Sequence, residues 1–144
     1  MKTLVERFPT QIQEALDIAN NAVLTKKQNV HNILVTGLGG SGIGGTILSE
    51  LIQNESGIPV LVNKDYSLPA YVNQNTLVII SSYSGNTEET IAAMHQAIAK
   101  NAQIVCVTSG GEVKKLAAEH NYDTIIIPGG YPPRSCIGYS LIQL

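Results

Sequence analysis

Residues 33–45 read ILVTGLGGSGIGG and carry the strongest indication of the fold. The first four residues are apolar or β-branched at consecutive positions, and glycines occupy six of the next nine. Such an apolar run is typical of a strand buried on both faces, and the glycines indicate a tight turn after it. The stretch therefore predicts a strand, a glycine loop and then a helix over residues 44–53.

Four further apolar runs resemble the first one and lie at residues 59–62, 77–80, 104–107 and 124–127. Their apolar residues are consecutive and do not alternate with polar ones, which indicates a parallel sheet covered by helices on both faces. Because helical patterns separate most of these runs, we expect a three-layer α-β-α sandwich with right-handed crossovers. The predicted architecture is flavodoxin-like, with five parallel strands in the order 2-1-3-4-5.

Three more helices are predicted over residues 9–27, 87–100 and 112–120, from apolar positions spaced three and four apart. Pairs that fit a capping box predict two of the helix starts, Thr10 with Gln13 and Ser109 with Glu112. We expect His95 to be half-buried within its helix. Residues 1–144 are predicted to form one domain.

The C-terminal segment is expected to be incomplete. A break at residues 131–134 is followed by residues 135–144, which begin an apolar helix that has no cap and no following strand. We therefore expect a truncated helix that leads toward an absent second domain of a longer protein. Its exposed apolar side chains would seek a partner, which predicts a homodimer; they are Ile137, Leu141, Ile142 and Leu144.

Composition narrows the classes of function. The net charge is −2, and charged residues make up 14% of the chain, so a nucleic-acid groove is not expected. No apolar stretch reaches the roughly 20 residues that a membrane helix needs. Cys106 and Cys136 have neither metal-ligand nor paired spacing, which predicts reduced thiols, no structural metal and a cytoplasmic location.

The glycine loop admits more than one ligand. A glycine turn that opens a helix presents free backbone N–H groups and the positive end of the helix dipole, which suits an anion. The stretch from Gly37 to Gly42 also fits GxGxxG, so a dinucleotide-binding domain is one alternative. That site needs an acidic residue at the end of the second strand, whereas Asn63 and Lys64 stand there. A Walker-type loop and a nucleophile elbow fail because their required residues are missing.

A second polar stretch follows the third predicted strand, at residues 81–90, which read SSYSGNTEET. Hydroxyl groups at Ser82, Ser84 and Thr87, together with helix N–H groups, can surround the oxygens of a phosphate monoester without a metal. The alternative is that these residues only cap the helix, for example through Asn86 with Glu89. In the predicted strand order, both loops lie where ligands bind to open parallel sheets.

These stretches resemble the SIS (sugar isomerase) domain, and in particular the N-terminal domain of bifunctional phosphoglucose/phosphomannose isomerases. Five ordered motifs carry the resemblance, at residues 37–42, 65–72, 82–90, 108–111 and 132–135. The resemblance implies a phosphosugar-binding domain of an aldose–ketose isomerase that interconverts glucose 6-phosphate or mannose 6-phosphate with fructose 6-phosphate, without a cofactor. It implies that the substrate phosphate is bound by Gly40, Ser41, Ser82, Ser84 and Thr87.

The resemblance also implies that Arg134 lies beside the sugar as a catalytic group and stabilises negative charge there. In this family the base, the ring-opening histidine and a lysine come from a second SIS domain. None of His31, His95 and His120 aligns with those roles, so we expect little or no turnover by this chain alone. A phosphosugar-sensing regulatory domain without catalysis is the alternative that shares the same ligand.

Overall fold

The computed structural model describes Thr3 and residues 6–144. Its strands form one parallel sheet in the order β2-β1-β3-β4-β5, which confirms the predicted topology. The strands are β1 Asn32–Thr36, β2 Val60–Asn63, β3 Thr76–Ser82, β4 Gln103–Thr108 and β5 Asp123–Ile126. Each overlaps its predicted apolar run and departs from it by two residues or fewer at either end.

Helices cover both faces of this sheet, which confirms the predicted three-layer α/β architecture. The helices are α1 Phe8–Asn21, α2 Gly39–Ile52, α3 Glu88–Ala99, α4 Gly111–Glu119 and α5 Ile137–Ile142, and a 3-10 turn at Pro133–Ser135 precedes α5. Among the described residues, no helix has the length and apolar character needed to cross a bilayer.

The core consists of two apolar clusters, one on each face of the sheet. Leu34 and Ile80 belong to the cluster under α3 and α4, together with Met94 and Val113 from those helices. The other cluster lies on the α1 and α5 face and includes Val107. The side chains of consecutive strand residues therefore point into opposite core clusters, which explains why the strands are unbroken apolar runs in the sequence.

The glycines of the first loop allow α2 to pack directly on the sheet. The helix begins at Gly39, earlier than the predicted start at residue 44, so most of the glycine stretch is helical. A Cβ at Gly45 would lie 2.9 Å from the Cγ1 of Val35 in β1. These glycines therefore serve close helix–sheet contact as much as loop flexibility, a use that the sequence pattern alone does not reveal.

The predicted end of the N-terminal helix at residue 27 is wrong, because α1 stops at Asn21 and Ala22 is extended. The following segment is held to the sheet by the Asp123 carboxylate of β5. That carboxylate accepts hydrogen bonds from the backbone N–H of Thr25 at 3.0 Å, from the Thr25 hydroxyl at 3.0 Å and from the Lys27 ammonium at 2.7 Å. A helix continuing through Lys27 would break this attachment.

The predicted capping box at Thr10 and Gln13 is also wrong. The helix begins at Phe8 with a proline in its first turn, so Thr10 lies inside it. The Gln13 amide donates to the Asp17 carboxylate at 3.3 Å, one turn further along. A proline at the start of a helix replaces a side-chain cap because its missing N–H is one of those left unpaired there.

Asn86 and Ser109 do not make the local caps that their spacing suggested. The Asn86 side-chain oxygen accepts a hydrogen bond from the backbone N–H of Glu112 at 3.0 Å, so it caps α4 and not its own helix. The Ser109 hydroxyl donates to the carbonyl of Tyr83 at 2.6 Å. Both bonds join the loop after β3 to the loop after β4, which braces one against the other.

The C-terminal helix packs more closely than the sequence suggested. The predicted helix over residues 135–144 is replaced by the 3-10 turn and the shorter α5. Its four apolar side chains are half-buried and not exposed, since Ile142 joins the cluster under α1 and Leu144 contacts α2 at Gly44. The expectation of an exposed apolar face was therefore wrong, because α1 and α2 form the groove that receives this helix.

The structure also gives the positions of the two cysteines and of His95. Both cysteines are free and buried, and burial raises the pKa of the Cys106 thiol to about 12. His95, expected to be half-buried in α3, is exposed, because Met94 takes the buried position beside it. Cys106 is therefore a core residue and not a reactive thiol.

Replacement of Asp123 by asparagine should lower stability in a pH-dependent way. Burial alone would raise the pKa of Asp123, but hydrogen bonds from Lys27 and Thr25 outweigh it and lower that pKa. The carboxylate therefore stabilises the fold above its unfolded pKa of about 3.9, and this contribution disappears as pH falls through the lower folded value. We expect Asp123→Asn to cost about 1–2 kcal/mol at pH 7, since the amide retains part of the bonding.

Thermal unfolding of both proteins at pH 7 and at pH 3 measures this effect. The gap in unfolding temperature should narrow at the lower pH. Asp17→Asn is the matched control, because Asp17 is exposed on α1 and its replacement should change stability by about 0.5 kcal/mol or less. An equal gap at both pH values would show that the Asp123 charge contributes nothing.

Removal of the Asn86 side chain should destabilise α4 from a distance. Asn86→Ala leaves the Glu112 N–H without its acceptor, and loss of a helix cap typically costs about 1 kcal/mol. Asn86→Asp keeps the acceptor and should retain most of the stability. Hydrogen exchange of the first-turn amides of α4 measures the effect, and faster exchange confined to α3 would contradict the assignment.

Candidate functional site

A cleft of about 250 Å³ lies at the carboxyl ends of β1 and β3, where α2 and α3 begin. The strand order reverses direction between these two strands, since β1 connects outward to β2 and β3 continues toward β4. Open parallel sheets bind ligands at this switch point because the two loops diverge and leave a crevice. The cleft is lined by Leu38, Gly39, Gly40, Ser41, Ser81, Tyr83, Ser84, Thr87, Pro133, Arg134, Ile137 and Ser140.

Five of the six predicted site residues line this cleft, namely Gly40, Ser41, Ser84, Thr87 and Arg134. Ser82 does not line it. The Ser82 side chain is buried behind the wall, where its oxygen accepts the Gly85 N–H at 3.1 Å and lies 3.2 Å from the Thr87 hydroxyl. The structure thus places Ser82 as a support for the loop and for Thr87.

The first wall of the cleft is the N-terminus of α2. Leu38 is extended, no side chain caps the helix, and Gly39 has a φ of +57°. The first N–H groups of a helix lack partners within it, so uncapped amides at this end can donate to a ligand. Ser41 is 6% exposed and its hydroxyl contacts no hydrogen-bond partner among the described residues.

The second wall is the N-terminus of α3, with Thr87 as its capping residue and again no side-chain cap. The Ser84 oxygen accepts the N–H of Asn86 at 3.1 Å, which leaves the hydroxyl proton of Ser84 free to donate. Glu88 and Glu89 stand in the first turn of α3 near Tyr66, away from the cleft lining. The alternative that these hydroxyls only cap α3 therefore has no hydrogen bond to support it.

Among the described residues that line the cleft, Arg134 is the charged one, and none of them carries a carboxylate or an imidazole. It projects from the 3-10 turn before α5, is exposed, and forms no ion pair within the part of the chain that the structure describes. A guanidinium remains protonated at any physiological pH and can donate to two oxygens at once. The cleft therefore has positive potential and no base of its own.

Three cleft residues with hydroxyl-bearing side chains were not predicted as site residues from the sequence, namely Ser81, Tyr83 and Ser140. The Tyr83 hydroxyl accepts the N–H of Tyr131 at 3.1 Å, and its pKa is raised to about 12 by burial and by a hydrogen bond with Cys136. This tyrosine is therefore a neutral group and not a base. The sequence did hold a signal for Ser81, because this residue directly precedes Ser82 and extends the series of hydroxyl side chains back into β3.

The end of β2 does not suit a dinucleotide. Asn63 stands where a carboxylate would bind the ribose, and its side-chain amide donates to the carbonyl of Asp65 at 2.9 Å. The Asp65 carboxylate accepts the N–H of Tyr66. Within the described ranges no three His, Cys, Asp or Glu side chains come together as metal ligands.

Comparison with known proteins agrees with this geometry. The family model of the SIS domain matches residues 26–129. A bifunctional phosphoglucose/phosphomannose isomerase of Caldicellulosiruptor bescii is 49% identical over 97% of this chain, and a D-glucosamine-6-phosphate 4-epimerase of Sulfolobus acidocaldarius is 32% identical over all of it. The chain spans 42% and 44% of the length of these two relatives.

The fold also matches a solved structure, that of a Clostridium difficile 630 protein assigned as a phosphosugar isomerase. Its TM-score is 0.74 with 21% identity, over 99% of this chain and 43% of that one. The parallel sheet, the cleft at its switch point and the family match over residues 26–129 lead to one conclusion. The chain belongs to the SIS domain family.

Proposed function

We propose that this chain is the phosphosugar-binding domain of an aldose–ketose isomerase that interconverts glucose 6-phosphate or mannose 6-phosphate with fructose 6-phosphate. The observation that carries the proposal is a cleft bounded by two uncapped helix N-termini, with hydroxyls and one guanidinium but no carboxylate. The helix N-termini, the hydroxyl donors and the guanidinium all attract a dianion, and no negatively charged group among the described lining residues opposes them. The names of the two relatives support it, because both refer to phosphorylated sugars.

The hydrogen bonds inside the hydroxyl loop would direct donor protons toward the phosphate. Ser82 accepts from Gly85 and can donate to Thr87, which leaves the Thr87 proton for the ligand. Ser84 accepts from Asn86 and likewise keeps its own proton. We assign Ser84, Thr87 and Ser41 as direct phosphate ligands, Gly40 as a backbone ligand, and Ser82 as the positioning residue of Thr87.

Arg134 is assigned to the sugar end of the ligand. Isomerisation moves a proton between C1 and C2 through an enediolate, whose oxygens carry developing negative charge. The guanidinium can stabilise that charge with two donors, while the bound phosphate holds C1 and C2 in place. A base is also required, and the lining residues that the structure describes include no carboxylate or imidazole to serve as one.

The base and the ring-opening group would therefore come from outside this cleft. A further part of a longer protein is one source, since the chain spans under half of the relatives described above. A second copy of the chain in a homodimer is another, although the packing of α5 removes the exposed apolar face that first suggested it. A cytoplasmic location is part of the same proposal.

Titration calorimetry with fructose 6-phosphate tests binding, and Ser84→Ala should weaken it. Loss of a hydrogen bond to a charged group costs about 1.5–3 kcal/mol, which corresponds to roughly 10- to 150-fold in affinity. Ser67→Ala is the matched control, because Ser67 is an exposed serine outside the cleft. Equal affinity of Ser84→Ala and the unaltered chain would contradict the assignment.

The same titration separates the competing functions. Inorganic phosphate should bind more weakly than the sugar phosphate, and NAD should give no heat. Saturable NAD binding would favour the dinucleotide alternative instead. Binding of fructose 6-phosphate without turnover in the longest available form of the protein would favour a sensing domain.

The Arg134→Gln variant should lose more affinity for a ligand with a negative charge at the sugar end than for a ligand that is neutral there. A phosphorylated sugar acid, whose carboxylate resembles the enediolate, should lose about 10-fold or more in affinity, since its bond to the guanidinium is charge-assisted. Fructose 6-phosphate, neutral at that end, should lose less. Equal losses for both ligands would place Arg134 on the phosphate instead.

A further inference from the structure

Ser81 carries a buried hydroxyl that forms no hydrogen bond with the described part of the chain. It lies in β3 directly before Ser82, is 1% exposed, and lines the cleft. Its Oγ finds no hydrogen-bond partner among the described residues. A buried hydroxyl without a partner costs free energy in the empty protein, so its presence at a cleft wall points to a group that arrives with the ligand.

A second hydroxyl approaches the same cleft from α5. Ser140 is 3% exposed, lines the cleft, and its Oγ makes no hydrogen bond to another described residue. Leu38, Tyr83 and Ile137 also line the cleft and contribute apolar surface to it. Apolar surroundings strengthen a hydrogen bond to a ligand because competing water is reduced.

The Ser81 side chain projects to a different face of the sheet from the Ser82 side chain. Neighbouring residues of a strand alternate between faces, and Ser82 turns toward the loop that opens α3, where it meets Thr87. Ser81 turns with Ile79 toward the cluster that α1 and α5 cover. The Ser81 hydroxyl therefore lies on the α5 side of the sheet, away from the hydroxyls that precede α3.

The chemistry of this side fits a neutral group and not a phosphate. Ser81 belongs to a strand paired on both sides, and Ser140 lies within a helix, so neither brings a row of unpaired amides. Each hydroxyl can donate and accept one bond at the same time, which matches an alcohol group. A dianion instead needs donors only, and the two helix N-termini already present them.

We propose that the Ser81 and Ser140 hydroxyls form a subsite that binds neutral hydroxyl groups of the sugar, separate from the phosphate ligands. The proposal rests on the proposed phosphosugar function and adds which residues read the sugar itself. It predicts that the two serines distinguish a sugar phosphate from other phosphate monoesters of similar length.

Calorimetric titration of Ser81→Ala and of Ser140→Ala with three ligands tests the subsite. For fructose 6-phosphate, each variant should bind about 3- to 10-fold more weakly, the range for a neutral hydrogen bond. For inorganic phosphate and for n-butyl phosphate, which has no hydroxyls on its carbon chain, affinity should stay within about twofold. Ser84→Ala is the contrasting control and should weaken all three ligands.

Thermal unfolding of the ligand-free Ser81→Ala variant tests whether Ser81 supports the fold, because loss of a structural hydroxyl would lower the unfolding temperature. Removal of an unpaired buried hydroxyl should leave the unfolding temperature unchanged or raise it. A lower unfolding temperature would show that Ser81 supports the fold, and equal losses for all three ligands would make it a phosphate ligand. Either result overturns the subsite.

Failure of the subsite and failure of the proposed function give different results. If the unaltered chain does not bind fructose 6-phosphate, both fall together. If the unaltered chain binds it and both serine variants bind it equally well, the phosphosugar function stands and the subsite is wrong.

Discussion

The close approach of β1 and β3 at Gly37 is the constraint on which the cleft depends. A Cβ at Gly37 would lie 2.6 Å from the carbonyl oxygen of Ser81 and 3.1 Å from the Cβ of Ser41. Any side chain there would push the turn away from β3. Because Gly37 allows this contact, the start of α2 lies beside the end of β3. Ser41 and Ser84, which are 43 positions apart in the chain, therefore line the same cleft.

A second set of glycines fixes the hydroxyl loop. Gly85 has a φ of +71°, and a Cβ on it would lie 1.8 Å from the carbonyl oxygen of Gly110, so the loops after β3 and β4 touch through their backbones. Asn86 adds its bond to the first turn of α4. Because the loop is braced from outside, Ser84 and Thr87 need not cap α3 and remain available to a ligand.

The charges around the cleft suit the binding of a ligand but do not supply a group for proton transfer. One guanidinium and two helix N-termini give the cleft a positive potential suited to a phosphorylated ligand. No described residue of its lining is a base near neutral pH, since Tyr83 is held neutral and Glu88 and Glu89 stand elsewhere. In the proposed function this domain therefore contributes affinity, orientation and charge stabilisation, while the proton transfers depend on groups from outside the cleft.

The sequence alone predicted the five strands and the two polar loops, because unbroken apolar runs and glycine junctions are local signals. The strand order was predicted by analogy with flavodoxin-like parallel sheets. The sequence also indicated five residues that the structure brings to one cleft. Three features became visible only in the folded chain: Asn86 caps α4, Asp123 binds the segment that follows α1, and Ser81 lines the cleft without a hydrogen-bond partner among the described residues. Each of them depends on how distant parts of the chain pack together, which no local spacing can reveal.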